Sequence, residues 1–287
     1  MIFWYFLVIV GFIWILFATV TDIKTREVPN WLNYSLVVIG LGTRAIYSFI
    51  TKDFDYILYG LIGFGIFFLI GNIMYYTKQW GGGDSKLLMG LGAMFGNYHG
   101  DILLGLQLNL PFLAVLVINI FIGGAVYGIL YSVFLAVKNR EKFLVELKKK
   151  KFNILFYALI AEVIIAVVLY FVFDKVLYWF LFELLVLMFV LIVLLYFMRI
   201  VEDVSMYKTV NVNKLTEGDW LVNNVFKRKK LICKTRNVGL TLSDIIILKK
   251  NKIKSVLIKE GIPFVPGFLI GFILTFVLGD LLLTLIF

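Results

Sequence analysis

The stretch IFWYFLVIVGFIWILFATV (residues 2–20) carries no charge, and TDIKTREVPN (residues 21–30) follows it at once, bringing charge, a proline and an asparagine together. A helix of about 20 apolar residues crosses roughly 30 Å of hydrocarbon, so residues 2–20 read as a spanning helix and 21–30 as the loop at its end. The stretch is too long and too apolar for a cleavable signal peptide, and no small-residue cleavage pattern follows it.

The same alternation runs down the chain. Further apolar runs occupy 31–50, 56–76, 86–97 (short), 108–137, 153–173, 176–198 and 262–287. Of the 287 residues 62% are hydrophobic and 16% charged, where a soluble domain is nearer half apolar and a quarter charged. The expected fold is an all-α polytopic membrane protein with about 6–8 transmembrane helices and one small α+β domain. Residues 1–137 form a membrane core, 138–198 a basic connector and two more spans, 199–260 the α+β domain, and 261–287 a final span. Within 199–260, strand-like runs fall at 207–212, 231–235 and 255–258. Thr216–Asp219 reads as a turn, and Leu242–Lys250 as a helix opened by Ser243 or Asp244.

Charge sets the expected orientation. The net charge is +10, with 28 Lys and Arg. An outside N-terminus puts 21–30, 77–85, 138–152 and 199–261 in the cytoplasm, and then only Arg44, Lys52 and Lys175 fall toward the outer side. This is the positive-inside pattern of a multi-pass plasma-membrane protein. The basic character therefore serves topology and attraction to anionic lipid, and nucleic acid is not an expected partner.

Two chemistries are disfavoured by residue supply. Cys233 is the single cysteine and His99 the single histidine, so no internal disulfide forms. A zinc site of the usual kind also lacks its ligands. Neither a metal nor another cofactor is expected. His99 lies in a polar break beside Asn97 and Tyr98 and reads as a loop residue.

Ionisable residues near a span are costly and call for a reason. Two groups stand out. Asp22, with Arg26, Val28, Pro29 and Asn30 behind it, ends the first helix. Gly81-Gly82-Gly83-Asp84-Ser85-Lys86 lies between the third and fourth. Both fall on the same membrane face in the charge-derived topology. Three glycines in a row allow unusual backbone angles and leave no side chains around Asp84, so an extended peptide can approach Gly81 and Gly83. Asp84 opens a helix, where the positive dipole end favours a carboxylate. Arg26 and Lys86 are the candidate supporting cations, and Asn30 reads as the cap of the second helix.

Gly81-x-Gly83-Asp84-Ser-Lys86-Leu-Leu, continuing through Gly90, Gly92 and Gly96, resembles the second catalytic motif of type IV prepilin and preflagellin peptidases. Asp22-x-x-x-Arg26-x-Val28-Pro29-Asn30 is similar to their first. These enzymes belong to the GxGD intramembrane aspartyl proteases. A lone GxGD is a weak signal, but both motifs in order, about sixty residues apart, are a specific one. The resemblance covers roughly residues 15–100, and Glu260–Pro266 resembles the C-terminal region of the archaeal enzymes less specifically. Bacterial relatives add a four-cysteine segment and methylate the new N-terminus. This chain has only Cys233, and it resembles the archaeal branch, which cleaves without methylation. Thr21 stands before Asp22 where presenilin-like enzymes carry tyrosine.

The resemblance implies an aspartic endopeptidase with Asp22 and Asp84 as its catalytic pair. It acts at the cytoplasmic face on prepilin or preflagellin substrates, each with a basic leader and a hydrophobic helix. The extra residues 199–287 lean the expectation toward pilins. The competing reading is a transporter or channel in which Asp22 and Asp84 bind a cation. Such a protein needs its carboxylates near mid-membrane, and these fall at helix ends.

Overall fold

A computed structural model describes residues 2–77, 79–100, 102–103, 110–150, 153–228, 230–236 and 239–280. Ten α-helices lie among them: α1 (Ile2–Thr25), α2 (Asn30–Thr51), α3 (Asp55–Tyr76), α4 (Gly82–Phe95), α5 (Phe112–Lys138), α6 (Arg140–Lys149), α7 (Asn153–Val172), α8 (Lys175–Ser205), α9 (Leu242–Lys250) and α10 (Val265–Val277). Six of them, α1, α2, α3, α5, α7 and α8, are long and apolar enough to cross a membrane. The chain is thus a multi-pass, mostly helical membrane protein with a small sheet-containing region toward its C-terminus. The two remaining expected spans are shorter helices. α4 has 14 residues and α10 has 13, and residues 281–287 of the expected last span lie outside the described residues.

The chain divides into two compact units, Met1–Leu130 with Thr209–Phe287, and Tyr131–Lys208. In the first, α4 is the central helix: Leu87, Leu88, Leu91, Ala93, Met94 and Phe95 have no exposed surface. It is seated by backbone contact. A β-carbon on Gly63 of α3 would stand 2.3 Å from the Gly92 carbonyl oxygen, so both positions must be glycine for the helices to meet. Close approach through small residues is how helices associate where lipid removes the hydrophobic drive.

Arg44, expected toward the outer side, is fully buried. Its guanidinium donates to the carbonyl oxygens of Met94 (2.8 and 3.1 Å), Gly96 (2.6 Å) and Tyr56 (2.8 Å), and lies 5.3 Å from the Trp4 ring centre. The last carbonyls of a helix lack intrahelical partners and sit at its negative dipole end. Arg44 satisfies those of α4 and anchors that end of the short helix.

α10 packs on α5 in the same small-residue manner. A β-carbon on Gly271 would stand 2.4 Å from Ile120 Cα, and one on Gly124 would stand 2.4 Å from the Phe264 ring. Trp80, just before the glycine loop, stacks on Phe121 and leans on Phe264 and Phe268 at centroid distances of 5.2–5.5 Å. The loop and the start of α10 therefore share one aromatic cluster.

The sheet-containing region has strands β1 (Tyr207–Asn211), β2 (Trp220–Leu221) and β5 (Ser255–Lys259) in the order β1-β5-β2, with a hairpin of β3 (Val225–Lys227) and β4 (Lys230–Cys233). Val212, Leu215, Cys233, Leu240, Ile245, Leu248, Val256 and Ile258 form its core. The strands expected at 207–212, 231–235 and 255–258 are present within a residue or two at their ends. β2 and β3 were not legible, because two- and three-residue strands are too short to display alternation. The cap of α9 is Thr241, not Ser243 or Asp244. Its hydroxyl accepts from the Asp244 N–H, and the Asp244 carboxylate reaches back to the Thr241 N–H at 3.0 Å.

In the second unit, α7 and α8 pack on each other, and no residue of α7 is buried. Asp174 caps α8, accepting from Val176 and Leu177. The basic segment after α5 forms the helix α6, tied to α8 by the Lys150–Asp203 ion pair.

Candidate active site

Asp22 stands one turn before the end of α1 and is 5% exposed. The helix stops because Arg26, whose N–H still donates to the Asp22 carbonyl (2.9 Å), adopts φ 62°. A left-handed terminal residue is usually glycine, and a side chain there is strained. The arginine in that place has its guanidinium within electrostatic reach of Asp22. The chain then runs through the buried Val28 to Pro29 and into α2.

Asp84 is the third residue of α4, and its carboxylate accepts from the Gly81 N–H at 2.9 Å. This is half of a capping box, which closes the helix start with an acid at N3. The loop is fixed against the α1–α2 connection and the start of α2 at several points. A β-carbon on Gly83 would stand 3.1 Å from Val28 Cβ. Asn33, fully buried in α2, donates from Nδ2 to the Gly83 carbonyl at 3.3 Å. Lys86 Nζ donates to Asn30 Oδ1 at 2.7 Å. The result brings Asp22 and Asp84, from two separate helices, within electrostatic reach of each other.

A third element joins them. The backbone N–H of Val265, the first residue of α10, donates to Asp22 Oδ2 at 3.0 Å. The sheet-containing region also approaches. Burial holds the Asp219 carboxyl above the usual aspartate range, against hydrogen bonds from Thr216, and the charges of Glu27 and Glu260 add to that push.

Of the residues singled out from sequence, Asp22, Asp84, Gly81, Gly83 and Arg26 come together. Lys86 does not turn to Asp84. It serves Asn30 and lies 5.6 Å from the Tyr34 ring centre. Asn30 is not a cap: Pro29 occupies that position, and the Asn30 side chain is the acceptor for Lys86. The glycines do not use unusual backbone angles either. Gly81 has φ −70°, and the glycines at positive φ among the described residues are Gly218, Gly239 and Gly279. The use of Gly81 and Gly83 here is close approach, to Asp84 and to Val28. Val265 and Asn33 were missed. A donated main-chain N–H leaves no trace in side-chain chemistry, whereas an asparagine inside the apolar run 31–50 was a readable sign. Among the described residues no group of three or more His, Cys, Asp or Glu could hold a metal ion.

Residues 9–137 match the model of the type IV leader peptidase family. Three curated relatives are preflagellin peptidases. The one from Methanocaldococcus jannaschii is 35% identical over 133 residues, covering 46% of this chain and 56% of the relative. Those from Methanococcus voltae and Methanococcus maripaludis are 33% and 36% identical over 132 and 130 residues, covering 45% and 44% of this chain and 56% and 54% of the relatives. The chain thus spans just over half the length of the curated relatives it matches. No solved structure matches. Both aspartates lie inside the matched residues, and that part of the chain is similar to the type IV leader peptidases.

Proposed function

We propose that the protein is a membrane aspartic endopeptidase that removes the leader of prepilin-like or preflagellin proteins at the cytoplasmic membrane face, without N-methylation. The observation that carries this reading is the meeting of Asp22 and Asp84, from the end of α1 and the start of α4, inside the stretch similar to leader peptidases. Two carboxylates held close together share one proton, because like charges at short range resist joint ionisation. The ionised member takes a proton from water while the protonated one donates to the scissile carbonyl.

The surroundings suit that chemistry. Gly81 and Gly82 put main chain alone beside Asp84, so an extended peptide can lie against them, while the face of Gly83 is taken by Val28. A site at helix ends lets a substrate helix stay in lipid while its leader remains in water. The charge distribution supports the cytoplasmic side, and a leader held there would meet the region bearing Asp219 and Glu260. The single cysteine gives no counterpart to the cysteine segment of methylating relatives. A transporter gains nothing from these observations, since neither carboxylate lies mid-helix.

The deciding experiment incubates proteoliposomes of the purified chain with a panel of archaeal prepilins and preflagellins carrying intact leaders. Cleavage at the leader boundary supports the reading. Uncleaved substrates across the whole panel overturn it.

A further inference from the structure

The chain segment that reaches Asp22 lies 243 residues downstream of it. Gly261-Ile-Pro-Phe-Val-Pro266 turns into α10 with Phe264 as N-cap and Pro266 in its first turn. At such a helix start the first N–H groups have no intrahelical acceptor and point along the positive end of the dipole. Here one of them, on Val265, is spent on the Asp22 carboxylate.

The seat of that helix start is built. The Phe264 ring fills the space above Gly124, where a β-carbon would come within 2.4 Å of it. Trp80 packs on both Phe264 and Phe268, and Val265 and Phe268 are fully buried. The N–H is therefore fixed in place by the bare backbone of α5 at Gly124, by side chains at the start of α10, and by Trp80 before the glycine loop.

The charges around the two carboxylates differ. Facing Asp22 are Arg26 from its own end of α1, Asp84 from α4, and the main-chain N–H groups at the start of α10, that of Val265 first and that of its N-cap Phe264 after it, where no side chain is charged. Glu27 and Lys24 are exposed, and Lys86 is turned to Asn30. Facing Asp84 are the Gly81 N–H and the Asp22 charge. A carboxylate with both a main-chain donor and a cation keeps its negative charge more readily than one whose charged neighbour is another carboxylate.

Resting on the peptidase reading, we infer that the N-terminus of α10, through the Val265 N–H, holds Asp22 as the ionised member of the pair, so that Asp22 is the general base and Asp84 the general acid. Water gives a proton to Asp22 as its oxygen bonds to the scissile carbonyl carbon, and Asp84 gives its proton to the carbonyl oxygen, leaving a gem-diol. Asp22 then passes its proton to the amide nitrogen as the C–N bond breaks, and Asp84 recovers a proton from the diol hydroxyl. Both carboxyl groups end as they began. Val265 acts through Asp22 and is a positioning residue.

The test is the pH profile of kcat/KM for leader cleavage in proteoliposomes. Val265→Pro removes the N–H at a first helical position, where proline is accepted, and Val265→Ala keeps it. Val265→Pro should move the acid limb to higher pH by about one unit, with the basic limb in place, and Val265→Ala should leave both limbs unmoved. If Val265→Pro does not insert and fold, Gly124→Ala carries the test. It leaves the N–H intact but displaces Phe264 and with it the helix start, and the same upward shift is expected. An unmoved acid limb in the folded variant overturns the inference, and a shift of the basic limb instead reverses the two roles and overturns it too. Either result leaves the peptidase reading standing. Failure of that reading shows separately, as no cleavage by the unmodified protein, and removes the assignment with it.

Discussion

Gly83 lies so close to Val28 that a β-carbon on it would stand 3.1 Å from Val28 Cβ and 3.3 Å from Val28 N. The loop that delivers Asp84 is thus pressed onto the loop that follows Asp22, and the register of the two carboxylates depends on the absent side chain. At Gly82 the nearest neighbour, Tyr75, would be 3.6 Å away, an ordinary contact. Gly83→Val should lower kcat/KM by about a hundredfold or more, the scale expected when reacting groups are misplaced by about 1 Å. Gly82→Ala should stay within a few-fold of the unmodified protein. Steady-state cleavage of one substrate by both variants decides the matter. Equal effects would make the loop a hinge and not a spacer.

Replacing either carboxylate by its amide keeps the shape and removes the proton transfer. Asp22→Asn and Asp84→Asn should each abolish cleavage while the protein still inserts and elutes as the unmodified one does. Glu27→Gln and Asp101→Asn should remain active, although Asp101 lies outside the described residues. Cleavage should also persist in strong chelator, since water activation is assigned to carboxylates and not to a metal ion. Near-normal turnover by either amide variant, or chelator inhibition reversed by zinc, would contradict the assignment.

Lys86 was a candidate for adjusting Asp84, and its place beside Asn30 gives it a different task. Nζ donates to Asn30 Oδ1 at 2.7 Å, tying the fifth residue of α4 to the first residue of α2. Lys86→Met and Asn30→Ala should each reduce kcat/KM by several-fold, and the double substitution should cost little more than either, because groups in one bond are not additive. The pH limbs should stay where they are. A profile displaced by Lys86→Met but not by Asn30→Ala would return Lys86 to Asp84.

The span pattern was legible because a membrane helix needs a long unbroken apolar run, and the described helices fall close to the runs read from 2–20 through 176–198. The aspartates were legible because charge beside such runs is rare. What escaped reading has one physical character. Arg44 turns inward to carbonyl oxygens, Asn30 serves a lysine 56 residues away, and Val265 offers only its main chain. Each depends on which helix ends meet, and hydrophobic periodicity says which residues face inward but not which partner they find there.

The small α+β region should lose stability in acid through Asp244. Burial opposes its ionisation, but hydrogen bonds from the Thr241 hydroxyl and N–H, followed by the Arg236 charge, outweigh burial and hold its carboxyl below the ordinary aspartate value. A depressed pKa stabilises the fold at pH above the unfolded value of about 3.9, and that contribution is lost as pH falls through the folded value. Amide exchange of α9 in the full chain should therefore be slow near neutrality and accelerate below about pH 4. Thr241→Ala, which removes the cap at a cost of about 1 kcal/mol, should speed exchange at neutral pH and flatten the acid response. An acid response unchanged by Thr241→Ala would place its origin elsewhere.

Substrate choice is where the C-terminal part of the chain should matter, and the geometry dictates how to ask. Removing everything after residue 199 would also remove Val265, and with it the donor to Asp22. A result of that kind would report on chemistry and not on selection. The informative variant replaces residues 209–259 by a flexible Gly/Ser linker and keeps 260–287, so that α10 and its contacts with α1 and α5 persist. The replaced segment carries Asp219, whose neighbours Glu27 and Glu260 lie on the active-site side. The basic runs 227–230 and 249–254 are suited to anionic lipid. Glu202 and Asp203, also acidic, are engaged with Tyr207 and Lys150. If the segment reads leaders, the variant should still cleave, but with KM raised several-fold for one substrate class, prepilin on the leaning given by residues 199–287, and less for preflagellin. Asp219→Asn with Glu260→Gln should reproduce part of the effect, and that part should shrink at high salt, to the extent that salt screens partly buried charges. Equal relative rates for both substrates in the linker variant would assign the choice to residues outside 209–259.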